Sequence, residues 1–430
     1  MKRLSKKQFD RALRKGHGRA LMHIKRYGIG EYLPLLEKAC LESYVYDPQI
    51  EGGRCWWLTK LVYATGNKLH FWKLFEKNFS NYSSLSDLYQ YGNMATNFIT
   101  DGATSLKKSM YENFEPSFIK FQDAVPIGSN LISFDGFEAL GFTARIVAKH
   151  TSFKRDDDAW FYKNACEELG KRRVDAFLEK IPECKIWHEY VKNEYISYFK
   201  LKAKAERPEP DLVSISNWIE QIDTRRPNIA KYARNASKAE LKLLFAKLKK
   251  YKDETSVWRC LKIFNYADLP VVDDFILDLV SSKNESFKIR NSAFDALARK
   301  KSNKIRTFAI NLINSDRSSI CYGAIGLFNK NYRKPDSEFL FAKLFVPENE
   351  SHLHNIGFDL IALFDQVKDL NLTDCAIWVY ENTPCTFCRS SIVRKLIEWK
   401  NIPTEIIEEG LYDSFDETRD ICKKFRRRKL

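Results

Sequence analysis

The sequence is poor in the residues that interrupt helices: its 430 residues include only 17 glycines and 13 prolines. Hydrophobic residues make up 44% of the chain and aromatic residues 14%, which is enough apolar material for sizeable cores. Few helix breakers and many aromatics favour long packed helices over a turn-rich β fold. The composition therefore excludes a disordered chain and predicts an all-α protein.

Long apolar runs and secretory features are also missing. No run approaches the roughly 20 apolar residues that a membrane-spanning helix requires. The N-terminal segment MKRLSKKQFDRALRKGHGRAL is basic and has neither an apolar core nor a small-residue cleavage site, so we expect no secretory signal. The ten cysteines show no framework spacing, which is typical of reduced thiols. Together these features predict a cytoplasmic protein that does not contact a membrane.

The net charge of +15 is concentrated at the two ends of the sequence. Residues 1–26 contain ten basic side chains and one acid, and the tail KKFRRRKL contains six basic side chains and no acid. The body between them is neutral overall, although residues 225–252 contain ten Lys or Arg and a single acid. Basic ends on a balanced body favour contact with a polyanion, but flexible charge can attract any polyanion without a specific site.

The C-terminal half repeats itself. The strings CLKIF, AFDAL, AIGLF, GFDLI and IVRKL begin at residues 260, 293, 324, 357 and 392, so they are spaced by 33, 31, 33 and 35 residues. Each string has apolar residues at its second and fifth positions. This period is typical of stacked helical hairpins, in which each unit buries its apolar face against a neighbour. The pattern predicts an α-solenoid.

The period and register of these strings resemble the HEAT and armadillo class of helical-repeat proteins, over about residues 253–422. The segments GHGRA (residues 16–20) and YDPQIEGGR (46–54) are also similar to segments of uncharacterised bacterial HEAT-like proteins. The resemblance implies an α-solenoid of HEAT-like hairpins. The strongest breaker, RPEPD at 207–211, predicts a boundary between an N-terminal helical region, 1–206, and a C-terminal repeat array, 211–430, with a basic tail.

The stretch YDPQIEGGRCWWLTKL at 46–61 combines two glycines with an arginine and two tryptophans. Pro48 is typical of a first helical residue and Gly66 of a helix stop, so we expect a helix over about 48–65. Gly52 and Gly53 would then lie inside the helix, where close packing of a neighbouring helix would have to offset their low helix propensity. The alternative hypothesis is a functional pocket that uses Arg54 and Trp56.

No recognised catalytic or metal-binding pattern is present, so we expect no catalytic residue, no metal and no cofactor. The nearest approach is TPCTFCR, at 383–389, whose two cysteines could act in redox chemistry or bind zinc together with Cys375 and either His352 or His354. Thr383 and Pro384 explain the segment as a helix start, and we favour that interpretation.

Three functions fit these features. The first is a non-catalytic solenoid that binds nucleic acid through basic helix faces and basic termini, and this is the one we favour. The second is a protein-binding scaffold, for example in bacterial defence or immunity. The third is a HEAT-like DNA glycosylase, for which no catalytic residue matches. The oligomeric state does not follow from the sequence. The residues predicted to contact nucleic acid are Arg225, Arg226, Lys231, Arg234, Lys242, Lys249, Lys250, Arg290, Lys304 and Arg306.

Overall fold

The computed structural model describes residues 2–429 apart from 49, 152–156, 201–209, 221–226 and 283. Every regular element in the described residues is helical, which confirms the all-α prediction. Among those helices, none combines the length and the apolar character that a bilayer crossing needs.

The chain forms two compact units. The first contains Met1–Ala205 together with Thr404–Leu430, and the second contains Glu206–Pro403. Residues 404–430, which the sequence assigns to the C-terminal array, are therefore part of the first unit. Residues 207–209 of the predicted boundary lie outside the described residues.

The first unit is built mainly from eleven consecutive helices. Their bounds are α1 (Lys6–Lys15), α2 (Arg19–Tyr27), α3 (Leu33–Leu41), α4 (Arg54–Ala64), α5 (Lys68–Asn78), α6 (Leu85–Thr100), α7 (Ser105–Phe121), α8 (Asn130–His150), α9 (Asp157–Leu169), α10 (Lys171–Leu178) and α11 (Lys185–Lys200). Helix α8 is kinked at Gly136, whose φ is +57°.

The second unit follows with eleven more helices, and the chain then returns to the first unit. The helices of the second unit are α12 (Leu212–Glu220), α13 (Ile229–Asn235), α14 (Lys238–Leu248), α15 (Glu254–Phe264), α16 (Asp274–Ser281), α17 (Phe287–Ala298), α18 (Asn303–Ser315), α19 (Asp336–Lys343), α20 (Glu350–Gln366), α21 (Thr373–Asn382) and α22 (Thr386–Glu398). The last two helices, α23 (Thr404–Gly410) and α24 (Asp416–Lys429), belong to the first unit.

Helix α4 differs from its predicted start. It begins at Arg54 with Gly53 as its N-cap, so the predicted start at Pro48 is wrong and both glycines precede the helix. The low helix propensity of glycine therefore does not destabilise α4. The predicted stop is confirmed, because Gly66 follows the C-cap Thr65 with φ +73°, a left-handed conformation that favours glycine.

The segment GHGRA connects α1 to α2 and includes the first two residues of α2, and it packs against the chain near its C-terminal end. A Cβ at Gly18 would lie 2.0 Å from the backbone oxygen of Glu409, so only glycine allows this close approach. Gly16 accepts a backbone hydrogen bond from Ser414 N at 2.9 Å. This close packing therefore joins a segment near the start of the sequence to one near its end.

Two side chains of the same segment hold the carboxylate of Glu409. His17 Nδ1 lies 2.8 Å from Glu409 Oε1, and an Arg19 terminal nitrogen lies 2.7 Å from Oε2. The His17 and Glu409 side chains are both at least nine-tenths buried. A second buried link runs from the Trp57 indole N–H to the carbonyl oxygen of Tyr412, at 2.9 Å. These polar contacts fix α23 and the turn after it against α1, α2 and α4.

Arg54 is buried on the inner side of α4. Its terminal nitrogens donate to the carbonyl oxygens of Leu13 and Arg14, at 3.0 and 3.2 Å, and pair with Glu51 at 2.9 Å. Because the last carbonyl groups of a helix lack intrahelical partners, the guanidinium satisfies the C-terminal end of α1. Arg54 of the 46–61 stretch thus serves architecture. A Cβ at Gly52 would meet no atom within 4 Å, so the close packing predicted at this glycine is wrong.

Hydrogen bonds in the second unit join residues about one repeat apart in sequence. Asn265 donates to Asp295, and Lys304 pairs with Asp274, each across 30 residues. Asn331 donates to the carbonyl of Lys300 across 31 residues. Successive segments of about this length therefore lie side by side in this unit.

The repeat strings fill its core with two departures from the predicted pattern. The second and fifth residues are fully or almost fully buried in CLKIF, AFDAL, AIGLF and IVRKL. In GFDLI, Phe358 is 61% exposed and the next apolar residue, Leu360, is buried, so the register of this string is shifted. The string AIGLF forms a short 3₁₀ segment, Ile325–Phe328, where an α-helix is expected.

We expect Glu409→Ala to lower the free energy of unfolding of the first unit by about 2–4 kcal/mol, because Arg19 loses its carboxylate in a largely buried setting. The measurement is thermal unfolding followed by circular dichroism, together with amide hydrogen exchange in α1 and α2. The matched control is Glu408→Ala, since Glu408 is exposed. Equal effects of the two substitutions would contradict the role given to Glu409.

Candidate nucleic-acid interface

Five side chains from three helices form a cationic surface in the first unit, which we call the Trp56 face. They are Lys25 on α2, Trp56 and Lys60 on α4, and Arg419 and Lys423 on α24. Arg419 is buried, with 8% of its surface exposed, and the other four side chains are exposed. Trp56 is 41% exposed, unlike its neighbour Trp57, which is 1% exposed. Both basic ends of the sequence thus contribute to one surface around an exposed aromatic ring.

Cations lie against Trp56 from two helices. Lys60 Nζ is 3.3 Å from the centroid of the indole ring, and the Arg419 guanidinium is 4.5 Å from it. Lys25 Nζ lies 4.7 Å from the ring of Tyr412. Such cation–π contacts hold long basic side chains in defined positions at a surface. Arg419 is held further by the carbonyl oxygens of Asp413 and Ser414 and by an ion pair with Asp416.

The positive charges of this face repel one another. Burial lowers the pKa of Lys60, and the charges of Arg419, Lys25 and Lys423 lower it further. Asp416 opposes these effects, and Lys423 itself pairs with Asp420 at 3.2 Å. A lowered pKa means that the charged form of Lys60 is less stable in the folded protein than it is in water. An anion bound here would reduce that cost.

The sequence predicts basic ends that attract a polyanion and gives Trp56 only as a possible pocket residue, and it does not group Lys25, Lys60 and Lys423 with Trp56 as one site. Lys60 follows Trp56 by four residues, and Lys423 follows Arg419 by four, so each pair shares a helix face. That spacing was visible in the sequence. The contact between α4 and α24 depends on the tertiary packing around Glu409, and the sequence has no local signal for it.

The basic residues predicted to contact nucleic acid lie in the second unit and do not form a uniform surface. Lys231 and Arg234 on α13, Lys242 on α14 and Lys250 just after it are exposed. Arg225 and Arg226 lie outside the described residues. The exposed members of the set thus lie on α13, on α14 and in the residue pair that follows α14, with Lys304 exposed on α18.

Other members of the set contact groups of the protein itself. Lys249 pairs with Asp273, Lys304 with Asp274 at 2.9 Å, and Arg306 with the buried Asp336 through two hydrogen bonds. Arg290 donates to the carbonyl of Val280 at 3.2 Å and lies 5.1 Å from the ring of Tyr322. A carboxylate partner reduces the positive charge that Lys249, Lys304 and Arg306 can offer to a phosphate.

Arg54 and Trp56 do not share a pocket. Arg54 is 2% exposed and faces α1, whereas Trp56 is on the outer side of α4. A cavity of about 310 Å³ does lie beside this stretch, lined in part by Glu51, Gly52 and Cys55. Neither Arg54 nor Trp56 lines it. The two residues therefore act separately, one in the core and one at the surface.

Eight of the ten cysteines are buried thiols whose pKa values are raised by burial. The pair in TPCTFCR differs, because Cys385 and Cys388 lie beside each other and beside His354. Hydrogen bonds from Cys388 and His354 lower the pKa of the Cys385 thiol, and the same contact with Cys385 raises that of Cys388. Cys375, the other cysteine considered from the sequence, is not part of this group.

Two carboxyl groups occupy the third position of the repeat strings AFDAL and GFDLI in the second unit: the exposed Asp295 and the half-buried Asp359. Desolvation by the surrounding protein raises the pKa of Asp295, and desolvation together with the charge of Asp295 raises the pKa of Asp359 to about 8. Asp359 Oδ2 is buried with no hydrogen-bond partner among the described residues. The intervening string has Gly326 at this position, so no side chain there can offset the repulsion. Both carboxyl groups thus owe their position to the repeat register.

This pair predicts a specific pH dependence of stability. The unfolded chain releases the Asp359 proton near 3.8, whereas the folded chain keeps it up to about pH 8, so stability falls as pH rises through this window. We expect Asp359→Asn to raise the free energy of unfolding by about 1–3 kcal/mol at pH 8 and by much less at pH 4. Urea unfolding at the two pH values measures this, with the exposed Asp278→Asn as control. A gain that is the same at both pH values would refute the assignment.

Comparison of the whole chain with protein-family models, with curated proteins and with solved structures finds no match. The fold class and the surface chemistry are therefore the basis for a functional assignment.

Proposed function

We propose that this chain is a non-catalytic, HEAT-like helical-repeat protein that binds nucleic acid through the Trp56 face. The binding is primarily to phosphate groups, since the face presents the exposed ammonium groups of Lys25, Lys60 and Lys423 from three helices. Exposed basic residues on α13 and α14 form a second contact surface in this proposal. The observation that carries it is the placement of Lys60 and Arg419 against the exposed ring of Trp56, with Lys25 and Lys423 near enough to lower the pKa of Lys60 beyond the effect of burial.

Support for the repeat architecture comes from the second unit. Its hydrogen bonds connect residues about 30 positions apart, which matches the spacing of the repeat strings. A stack of similar units has this property because each unit contacts mainly its sequence neighbours. The resemblance to HEAT proteins agrees with the same period.

Support for a phosphate ligand comes from the energetics of the Trp56 face. Like charges held close together destabilise a fold unless an anion neutralises them. Here Lys25 and Lys60 lie against aromatic rings, so little of their side-chain freedom is lost when a ligand binds. A polyanion with regularly spaced charges suits several fixed cations at once.

The test is fluorescence anisotropy of the full chain with labelled double-stranded and single-stranded DNA and RNA over a salt series. One triple variant removes three charges from the Trp56 face: Lys25→Gln, Lys60→Gln and Lys423→Gln. The matched variant removes three charges from the second unit: Lys238→Gln, Lys242→Gln and Lys250→Gln. Circular dichroism and thermal unfolding check that both variants are folded.

We expect the first triple variant to bind at least tenfold more weakly and to reduce the slope of log affinity against log salt by about 2–3 on double-stranded DNA, because about one counterion is released for each phosphate contact. The matched variant should change the slope less. A loss confined to the matched variant would place the contact on α13 and α14 instead. Absence of binding to every nucleic acid would refute the proposal and favour a protein partner.

A further inference from the structure

Three potential metal ligands converge in the second unit. They are His354 on α20, Cys385 at the N-cap of α22 and Cys388 in the first turn of that helix. One ligand atom from each residue lies within 4.8 Å of the others, and Cys388 Sγ is 3.4 Å from His354 Nε2. No other group of three such residues is found in the part of the chain that the structure describes.

The repeat architecture explains this convergence. His354 and Cys388 are 34 residues apart, which is about one repeat, so they lie on corresponding helices of neighbouring segments. The spacing of Cys385 and Cys388 by three residues puts both sulfur atoms at one helix start. Backbone N–H groups at a helix start stabilise thiolates, the form in which cysteine binds a metal.

The distances fit tetrahedral zinc. With Zn–S near 2.3 Å and Zn–N near 2.0–2.1 Å, the sulfur and nitrogen ligands of a tetrahedral site are separated by about 3.6 Å. The separation of Cys388 Sγ and His354 Nε2, 3.4 Å, is close to this value. A thiol–imidazole hydrogen bond has a similar length, so this distance alone does not distinguish a metal site from a hydrogen-bonded pair. The third ligand atom, Cys385 Sγ, is what distinguishes the two.

Charge also fits. Two thiolates and one neutral imidazole balance the charge of a divalent cation, so the filled site is neutral. Both cysteines are only 3% exposed, and a neutral site avoids the cost of burying a net charge there. Zinc binding would release the thiol protons to solvent, as it does at other thiolate sites.

We propose that His354, Cys385 and Cys388 bind one zinc ion, with the fourth coordination position taken by water or by a small ligand from solution. This arrangement of two cysteines and one histidine with an open position is known from catalytic zinc sites. The ion links the start of α22 to α20 across the repeat interface. The site is separate from the Trp56 face, which belongs to the other unit.

The test uses the full chain, reduced and stripped of metal with a chelator. Zinc is titrated against a chromophoric chelator, and Co²⁺ is added separately to record the thiolate charge-transfer and visible d–d absorption of a tetrahedral site. In parallel, thiols are alkylated under native conditions with and without zinc, and the modified cysteines are identified by mass spectrometry. The alkylation experiment needs no variant, so it stands even where a substitution prevents folding.

The variants are His354→Asn and Cys388→Ser. Their matched controls are His352→Asn, two residues away on α20, and Cys375→Ser, a buried cysteine on α21. We expect one zinc ion per chain, protection of Cys385 and Cys388 from alkylation, and binding weakened at least tenfold in the two ligand variants alone.

Three outcomes would overturn the proposal. The first is the absence of stoichiometric zinc binding by the reduced chain, which would leave the two cysteines as a thiol pair or a disulfide. The second is full binding by both ligand variants. The third is an equal loss of binding in the His352→Asn or Cys375→Ser control, which would locate the ion elsewhere.

Discussion

The carboxylate of Glu409 is the contact on which the first unit depends. It accepts from His17 and pairs with Arg19, so a residue near one end of the sequence fixes two residues near the other. The surrounding geometry serves this contact: Gly18 allows the backbone of Glu409 to approach, and Trp57 binds the next turn through Tyr412. Without the Glu409 carboxylate, α23 and α24 would be held against α1, α2 and α4 by fewer polar contacts.

Joining the ends has an electrostatic cost, because both ends are basic. Arg419 and Lys423 on α24 are brought near Lys60 and Lys25, and these charges add to the effect of burial in lowering the pKa of Lys60. The fold offsets part of this repulsion locally, through Asp416 and through the rings of Trp56 and Tyr412. The remaining positive potential is what makes the surface suitable for a polyanion. The chemistry of the surface is therefore a consequence of how the unit is closed.

Local signals in the sequence were sufficient for the helical class and for the stop at Gly66. They were insufficient for the start of α4, because Pro48 is a plausible first helical residue and only the tertiary role of Arg54 shows where the helix begins. The contact of His17 with Glu409 spans 392 residues and has no local signature. The cysteine and histidine cluster was closer to prediction, since the period of the repeat strings relates His354 to Cys388.

The return of residues 404–430 to the first unit also orders events during protein synthesis. A nascent chain emerges from the ribosome N-terminal end first, and complete units fold as they appear. All of residues 206–403 are available before Glu409 is made, so the second unit can fold while the first still lacks its last two helices. Until then the buried surfaces of α1, α2 and α4 are incompletely covered. A ribosome that stops before residue 404 would release a chain with one finished unit and one that exposes its interior.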